Sequence, residues 1–379
     1  MTSSYWFHFR GEEEVPSPAL VVYPDRIRTN IQRMIHMAGG AARLRPHIKT
    51  HKMPAVMGLQ IDRGITRFKC ATLAEAEMAA GCGNLDLLVG GQMTGPNIRR
   101  FLELSAHFPC TRFSCLVDDP GAAAALAQAA SRAGRVVNVW LDLDCGQHRT
   151  GVPPDAAALD FYQRLGALDG LRPVGLHAYD GHIHDSNPIA RQAACEAAFA
   201  PVLELRKSIA SSTGVVPELV AGGTPTFPIH AARGDCQLSP GTTVFWDAGY
   251  SAKMPDLDFL PAALVLTRVV SKPGPRRLCL DLGHKAVASE GPQPRVIFPE
   301  LSDAQAVAHN EEHLVIETGR ADEFAVGSLL FGIPWHICPT VALHSRAAVV
   351  EDGEWLGIWP IPARDRFLAT GEVLPKGRP

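Results

Sequence analysis

A chain of 379 residues, 46% apolar and 20% charged, can bury a sizeable core and exceeds the usual single-domain length, so two domains are the default. A formal net charge of −3 gives no support for nucleic-acid binding, which shows as a strongly basic domain or patch. Nine cysteines without a framework, no apolar run of membrane-spanning length, and Glu12-Glu13-Glu14 where a signal peptide needs an apolar core lead to the expectation of a cytoplasmic protein with no membrane partner.

Pro18 to Tyr23 is a short β-type run, and a helix starts at Pro24 with Ile27, Ile31, Met34 and Ile35 at helical spacing. After Gly39-Gly40, the segment Arg45 to Lys52 reads as a short strand running out of a core. Further strand candidates follow at Arg67–Thr72, Leu85–Gly90, Phe113–Asp118, Val136–Asp144, Val174–Tyr179, Glu218–Gly222 and Thr243–Asp247, with helical material between most of them. Eight such runs close most simply as a parallel (β/α)8 barrel, although an open doubly wound sheet gives similar runs. From about Asp258 the chain turns β-rich and mostly antiparallel in pattern, with turn signals at Lys272-Pro273-Gly274-Pro275 and Glu351-Asp352-Gly353. The expected domains are therefore a barrel over 18–257 and a β-rich domain over 258–379. The tail Pro375–Pro379 is expected to fray.

Lys49 falls at the carboxyl end of its expected strand, where barrel enzymes collect catalytic residues. An amine among cations and apolar walls attacks carbonyls near neutral pH; on spacing alone, a basic surface loop accounts for the segment equally well. Two glycine turns, Gly222-Gly223-Thr224 and Gly241-Thr242, follow late strands, where barrels commonly bind phosphate through backbone N–H groups. On an extended segment His336 and Cys338 would point to one side and chelate one ion, zinc before manganese or magnesium.

Arg45-Pro46-His47-x-Lys49-Thr50-His51-Lys52 resembles the pyridoxal-phosphate lysine motif of the D-threonine aldolase and D-serine dehydratase family, fold-type III relatives of alanine racemase. The resemblance runs from about Pro18 to the end. It implies that Lys49 carries pyridoxal phosphate, that the barrel is the right closure, and that residues 1–17 join the second domain. Tyr179 matches the family tyrosine beside the pyridine ring, a partner that makes the cofactor a weak electron sink. Arg149 matches an arginine near the phenolic oxygen, and both glycine loops resemble the family's phosphate loops. His336-x-Cys338 resembles the paired metal ligands, His-x-Asp in aldolase members and His-x-Cys in dehydratases. Lys285 and His313 also fall on family-like motifs.

The resemblance implies a small D-amino acid as substrate and a homodimer with shared sites. Retro-aldol cleavage needs a base for the hydroxyl proton, whereas dehydration needs removal of the Cα hydrogen. Cys338 resembles the dehydratases. Tyr179-Asp180-Gly181-His182-Ile183-His184 looks more like the aldolase segment, with His184 or His182 as base. The reading adopted is a D-threonine aldolase-like lyase, in which His184→Ala abolishes cleavage. A D-serine or 3-hydroxy-D-aspartate dehydratase is the alternative, and an amino-acid racemase a more distant one.

Overall fold

Strand β1 (Ala19–Val22) and helix α1 (Pro24–Ala38) open the regular structure of the computed structural model, which describes residues 5–368. Pro375–Pro379 therefore lie outside the described residues. Next come α2 (Pro54–Ile61), β2 (Arg67–Cys70), α3 (Leu73–Ala80), β3 (Asp86–Gln92), α4 (Pro96–His107), β4 (Arg112–Val117), α5 (Pro120–Arg132) and β5 (Val137–Leu143). Then follow α6 (Ala156–Gly166), β6 (Leu171–Ala178), α7 (Pro188–Thr213), β7 (Glu218–Ala221), α8 (Phe227–Arg233), β8 (Gln237–Leu238) and α9 (Ala248–Lys253). The remainder is β9 (Ala263–Gly274), β10 (Arg277–Leu280), β11 (Val296–Ile297), β12 (Gln305–His309), β13 (Leu314–Glu317), β14 (Leu329–Pro334), α10 (Ile337–Leu343), β15 (Arg346–Glu351) and β16 (Glu354–Pro360). Among the described residues no helix is long and apolar enough to cross a membrane.

Two compact units form. One comprises Met34–Lys49 and Met57–Gly241 with the described residues from Asp365; the other comprises Thr50–Val56 and Thr242–Arg364 with the described chain up to Arg33. The units part at Gly241 and Thr242, whereas the sequence was divided at 257 and 258.

The first unit is a parallel sheet in the order β2-β3-β4-β5-β6-β7-β8. Its strands are near-continuous apolar runs because both faces are covered; all seven residues of β5 are buried. Sharp caps separate them from the helices: Asp119 accepts from Ala122 N before α5, and Asn187 accepts from Ile189 N before α7, each followed by proline at the first turn.

The ring closes through residues 44–47. Arg45 N donates to Leu238 O at 2.7 Å, His47 N donates to Pro240 O at 2.8 Å, and Lys69 N donates to Pro46 O at 2.9 Å. These are strand-like bonds on alternating sides, but Pro46 brings no N–H, and the segment turns at once into a 3-10 turn, Ile48–Thr50. The strand expected over Arg45 to Lys52 is thus reduced to isolated bridges, and Lys49 sits on the turn that follows. Thr243–Asp247, expected as a strand, is also not one. The last strand is the two-residue β8, and Thr242–Val244 forms a 3-10 turn before α9.

Inside the barrel Leu88, Leu116, Trp140 and Val220 form a buried layer with Val174. Trp140 Nε1 donates to Ser114 Oγ at 3.1 Å, and its ring fills the space opposite Gly175, where a Cβ would stand 2.5 Å from Trp140 Cζ3. Large and small residues so alternate across neighbouring strands. Arg45, fully buried, donates to Gln237 Oε1 at 2.6 Å and to Asp86 Oδ1 at 3.0 Å, the paired arrangement a buried guanidinium requires.

In the second unit the long β9 is the spine. It pairs antiparallel with β1, β10 and β14 in a sheet ordered β12-β13-β10-β9-β1-β15-β16. Val265, Leu278, Leu280, Leu314, Ile316 and Leu330 fill one core cluster; Phe7, Phe9 and Val15 pack with Leu264 and Phe331 in another.

Candidate active site

In the first unit, the residues singled out by sequence gather beyond the carboxyl ends of the strands. Lys49 is partly buried on its 3-10 turn, with its backbone N–H 3.4 Å from His47 Nδ1. Tyr179 follows β6, and the Arg149 guanidinium lies 5.1 Å from the centre of its ring. Gly181 leaves the room that ring occupies, since a Cβ there would lie 2.4 Å from the Tyr179 hydroxyl. Gly223 lies against the same ring, where a Cβ would stand 2.9 Å from Tyr179 Cε2.

The two glycine turns meet. Gly241 N donates to Thr224 Oγ1 at 3.2 Å. Gly222 has φ +76°, the left-handed region, and a Cβ there would also strike His230 Cδ2 at 2.6 Å. Beside them the buried Ser239 hydroxyl has no protein hydrogen-bond partner among the described residues. A close backbone approach with an unanswered hydroxyl suits a phosphate group such as that of pyridoxal phosphate, and the Lys49 side chain carries an amine of the kind that cofactor needs. Thr242 belongs to the second unit, where its hydroxyl is 3.6 Å from Cys338 Sγ.

The two histidines of the Tyr179 turn differ. His184 is exposed, its Nδ1 donating to the backbone carbonyl of His182 at 2.7 Å. His182 is partly buried against Gly146, whose hypothetical Cβ would be 2.9 Å from His182 Nε2, and its own Nδ1 is buried without a hydrogen-bond partner among the described residues. The loop that meets it is pinned by Asp144, which accepts from Gly146 N at 2.9 Å and His148 N at 3.0 Å.

Lys69 was missed by sequence reading. It points inward from β2 with 3% exposure, its Nζ 3.4 Å from His177 Nε2 and 5.3 Å from the centre of the Tyr179 ring. His177 Nδ1 in turn lies 2.7 Å from Asp142 Oδ1. Burial raises the Asp142 pKa, but His177, the Thr150 hydroxyl and Lys69 outweigh it and hold the carboxyl below its ordinary range. Burial and the Lys69 charge keep His177 low, so the imidazole is neutral. Burial, then the Lys49 charge, bring the Lys69 amine down to about 7.

A second buried cluster missed by sequence lies behind the first glycine turn. Asp180, Cys195 and His230 place ligand-type atoms within 4.8 Å of one another. Asp180 accepts from Thr226 Oγ1 and from His230 Nε2, both at 2.8 Å, and Cys195 Sγ lies 3.7 Å from Asp180 Oδ2 and 3.4 Å from His230 Nε2, so all three are joined by hydrogen bonds. Burial, with Asp180 nearby, pushes the Cys195 thiol up to about 12, which keeps it protonated. Positions 180, 195 and 230 share no spacing that sequence could flag.

The second unit holds the expected metal pair. His336 caps the amino terminus of α10 with extended backbone, and Cys338 sits in the first helical turn, not two along a strand as expected. The side chains still meet. Burial lowers the His336 pKa, but hydrogen bonding and charge from Cys338, then Asp247 and Glu290, outweigh it and raise the imidazole to about 9. Glu290 hydrogen-bonds His336 Nδ1, and the Thr50 hydroxyl is 3.2 Å from Cys338 Sγ. Buried Asp247, its carboxyl raised to about 6 by burial, accepts from Ile337 N at 3.0 Å and fixes the start of the helix. His336 and Cys338 thus offer an imidazole and a sulfur side by side, donor types that divalent ions take, although among the described residues the three-ligand group within 4.8 Å is that of Asp180, Cys195 and His230. Lys285 is paired with Glu311 and Glu312, and His313 is exposed on the neighbouring turn.

Residues 22–244 match the family model described as alanine racemase, N-terminal domain, and residues 262–350 match a putative serine dehydratase domain. The chain is 33% identical to D-threonine aldolase of an Arthrobacter species over 362 residues, covering 92% of this chain and 93% of that one. Among solved structures, D-threonine aldolase from Filomicrobium marinum superposes with a TM-score of 0.86 at 26% identity, covering 93% of this chain and 96% of that one. D-threo-3-hydroxyaspartate dehydratase from Delftia sp. HT23 superposes with a TM-score of 0.81 at 25% identity, covering 92% and 98%.

Proposed function

The chain belongs to the family of D-threonine aldolase, built on an alanine racemase-like barrel, and from that premise we infer a pyridoxal-phosphate- and divalent-metal-dependent lyase acting on D-β-hydroxy amino acids. The reaction we assign is retro-aldol cleavage of D-threonine or a close analogue to glycine and an aldehyde. Pyridoxal phosphate, held through Lys49, supplies the electron sink for the broken bond at Cα. The metal, held by His336 and Cys338, supplies Lewis acidity.

The chain's own residues divide the remaining work. Gly222, Gly223, Thr224 and Gly241 bind the phosphate, Tyr179 orients the ring, and Arg149 answers the phenolic oxygen. His182 takes the proton of the β-hydroxyl. The observation that carries this reading is the buried Nδ1 of His182, which has no hydrogen-bond partner among the described residues, on a ring packed against the Gly146 loop. His184, the base favoured by sequence, is exposed and spends its Nδ1 on its own turn. Zinc suits the imidazole and sulfur donors better than manganese or magnesium. We further assign the cofactor to a barrel domain over 18–257 and the metal to a β-rich domain over 258–379 with 1–17, in a cytoplasmic homodimer.

The test is the product formed from D-threonine by cofactor-loaded protein, with and without a chelator. Acetaldehyde and glycine, lost on chelation and restored by zinc, support the assignment. Ammonia and 2-oxobutanoate overturn it in favour of the dehydratase reading, which Cys338 supports as a metal ligand of dehydratase type.

A further inference from the structure

A lysine facing a barrel interior is costly to keep, and a purely structural one pairs directly with a carboxylate. Lys69 does not. Asp142 accepts from the His177 Nδ1–H at 2.7 Å, which leaves the Nε2 lone pair to accept from Lys69 Nζ at 3.4 Å. The carboxylate is therefore one imidazole removed from the amine, and the three side chains, each at most 5% exposed, form an ordered chain across β2, β5 and β6.

We propose that Lys69 is a second functional amine of this active site, a positioning residue that, with His177 and Asp142, sets the charge against which Lys49 works. The proposal rests on the reading that Lys49 carries the cofactor. The groups acting on Lys69 are Lys49 on its turn, Arg149 from the loop after β5, Asp142 on β5, His177 on β6, and Tyr179 and Asp180 just beyond β6. Lys49 and Arg149 oppose Asp142 and Asp180 there, so the formal charge is zero when Lys69 is neutral and +1 when it is protonated, and one proton at Lys69 decides whether the site carries net charge. Perturbed amines of this kind are features of working sites. The position is legible only in three dimensions, because in sequence it is one lysine in a short strand.

The experiment is a pH titration of the visible absorbance of the cofactor-loaded protein between roughly pH 6 and pH 9, with borohydride trapping and peptide mapping of the labelled lysine. The wild type shows an inflection near neutrality. Lys69→Met keeps the cofactor and the label on Lys49 but loses that inflection. Asp142→Asn retains the inflection and moves it to lower pH by about one unit, because removing the carboxylate withdraws a charge that favours the protonated amine. An unchanged inflection in Lys69→Met, or an upward move or none in Asp142→Asn, overturns the proposal while leaving Lys49 as the cofactor lysine. A label that maps to Lys69 in the wild type overturns the Lys49 reading, and this proposal with it. Should Lys69→Met fail to fold, the Asp142→Asn shift decides.

Discussion

Gly181 and Tyr179 share one volume: a methyl group on residue 181 would stand 2.4 Å from the tyrosine hydroxyl. The ring therefore holds its place only because residue 181 has no side chain. Gly181→Ala is expected to displace the ring, weaken cofactor retention, and lower the cleavage rate roughly a hundredfold, as a misplacement of about 1 Å does. Cofactor occupancy after gel filtration, compared with the rate at saturating cofactor, separates the two effects. Unaltered occupancy and rate would mean that Tyr179 does not orient the ring.

The two histidines separate cleanly by mutation. His182→Ala should lower D-threonine cleavage by about 10²- to 10⁴-fold, the range for a lost general base, with the cofactor still bound. His184→Ala should cost less than about tenfold, since its ring is exposed and bonded within its own turn. The reverse ranking, measured by acetaldehyde release, would return the base to the position favoured by sequence.

Metal content reports on Cys338. Cys338→Ser should lower zinc retained after dialysis and abolish the thiolate charge-transfer band of cobalt-substituted protein. Cys338→Asp should instead favour manganese or magnesium, because a carboxylate replaces a soft ligand. A cobalt spectrum unaffected by loss of the sulfur would remove Cys338 from the metal site.

Stability against pH reads out Lys69. Its folded-state pKa of about 7 lies below the ordinary lysine value of 10.5, so between those values the unfolded chain carries a proton that the folded chain lacks. Stability from this group therefore rises with pH across that window, by about 1.4 kcal/mol per unit, and is flat below it. Lys69→Met removes the dependence. The difference in unfolding free energy between Lys69→Met and wild type should shrink from pH 7 towards pH 9, as followed by urea denaturation.

What sequence could show depended on how local each signal was. The Lys49 motif and the glycine turns are contiguous strings, and they were legible. Closure of the barrel was expected from the count of strand-like runs, but the stretches that close it were misplaced, because β8 is only two residues and Pro46 interrupts the pattern next to it; runs that short carry no period. The extended His336–Cys338 segment was misread although Pro339 offered a cue, proline being favoured in a first helical turn. Lys69, Asp142 and His177 sit on three strands, the first 108 residues before the last in sequence, and only the register Asp142 to His177 and the inward turn of β2 unite them.

Trp140 and Gly175 are register partners, as are Asp142 and His177 two residues further along the same strands. The polar layer therefore rests on an indole floor, and the barrel is a well with a single mouth, not a tunnel. Solvent protons that reach the Lys69 amine enter from the mouth, past whatever molecule is seated there. Occupancy of the mouth would act as a cork, so hydrogen–deuterium exchange at the His177 ring should slow when the cofactor is loaded, with no change in the fold beneath.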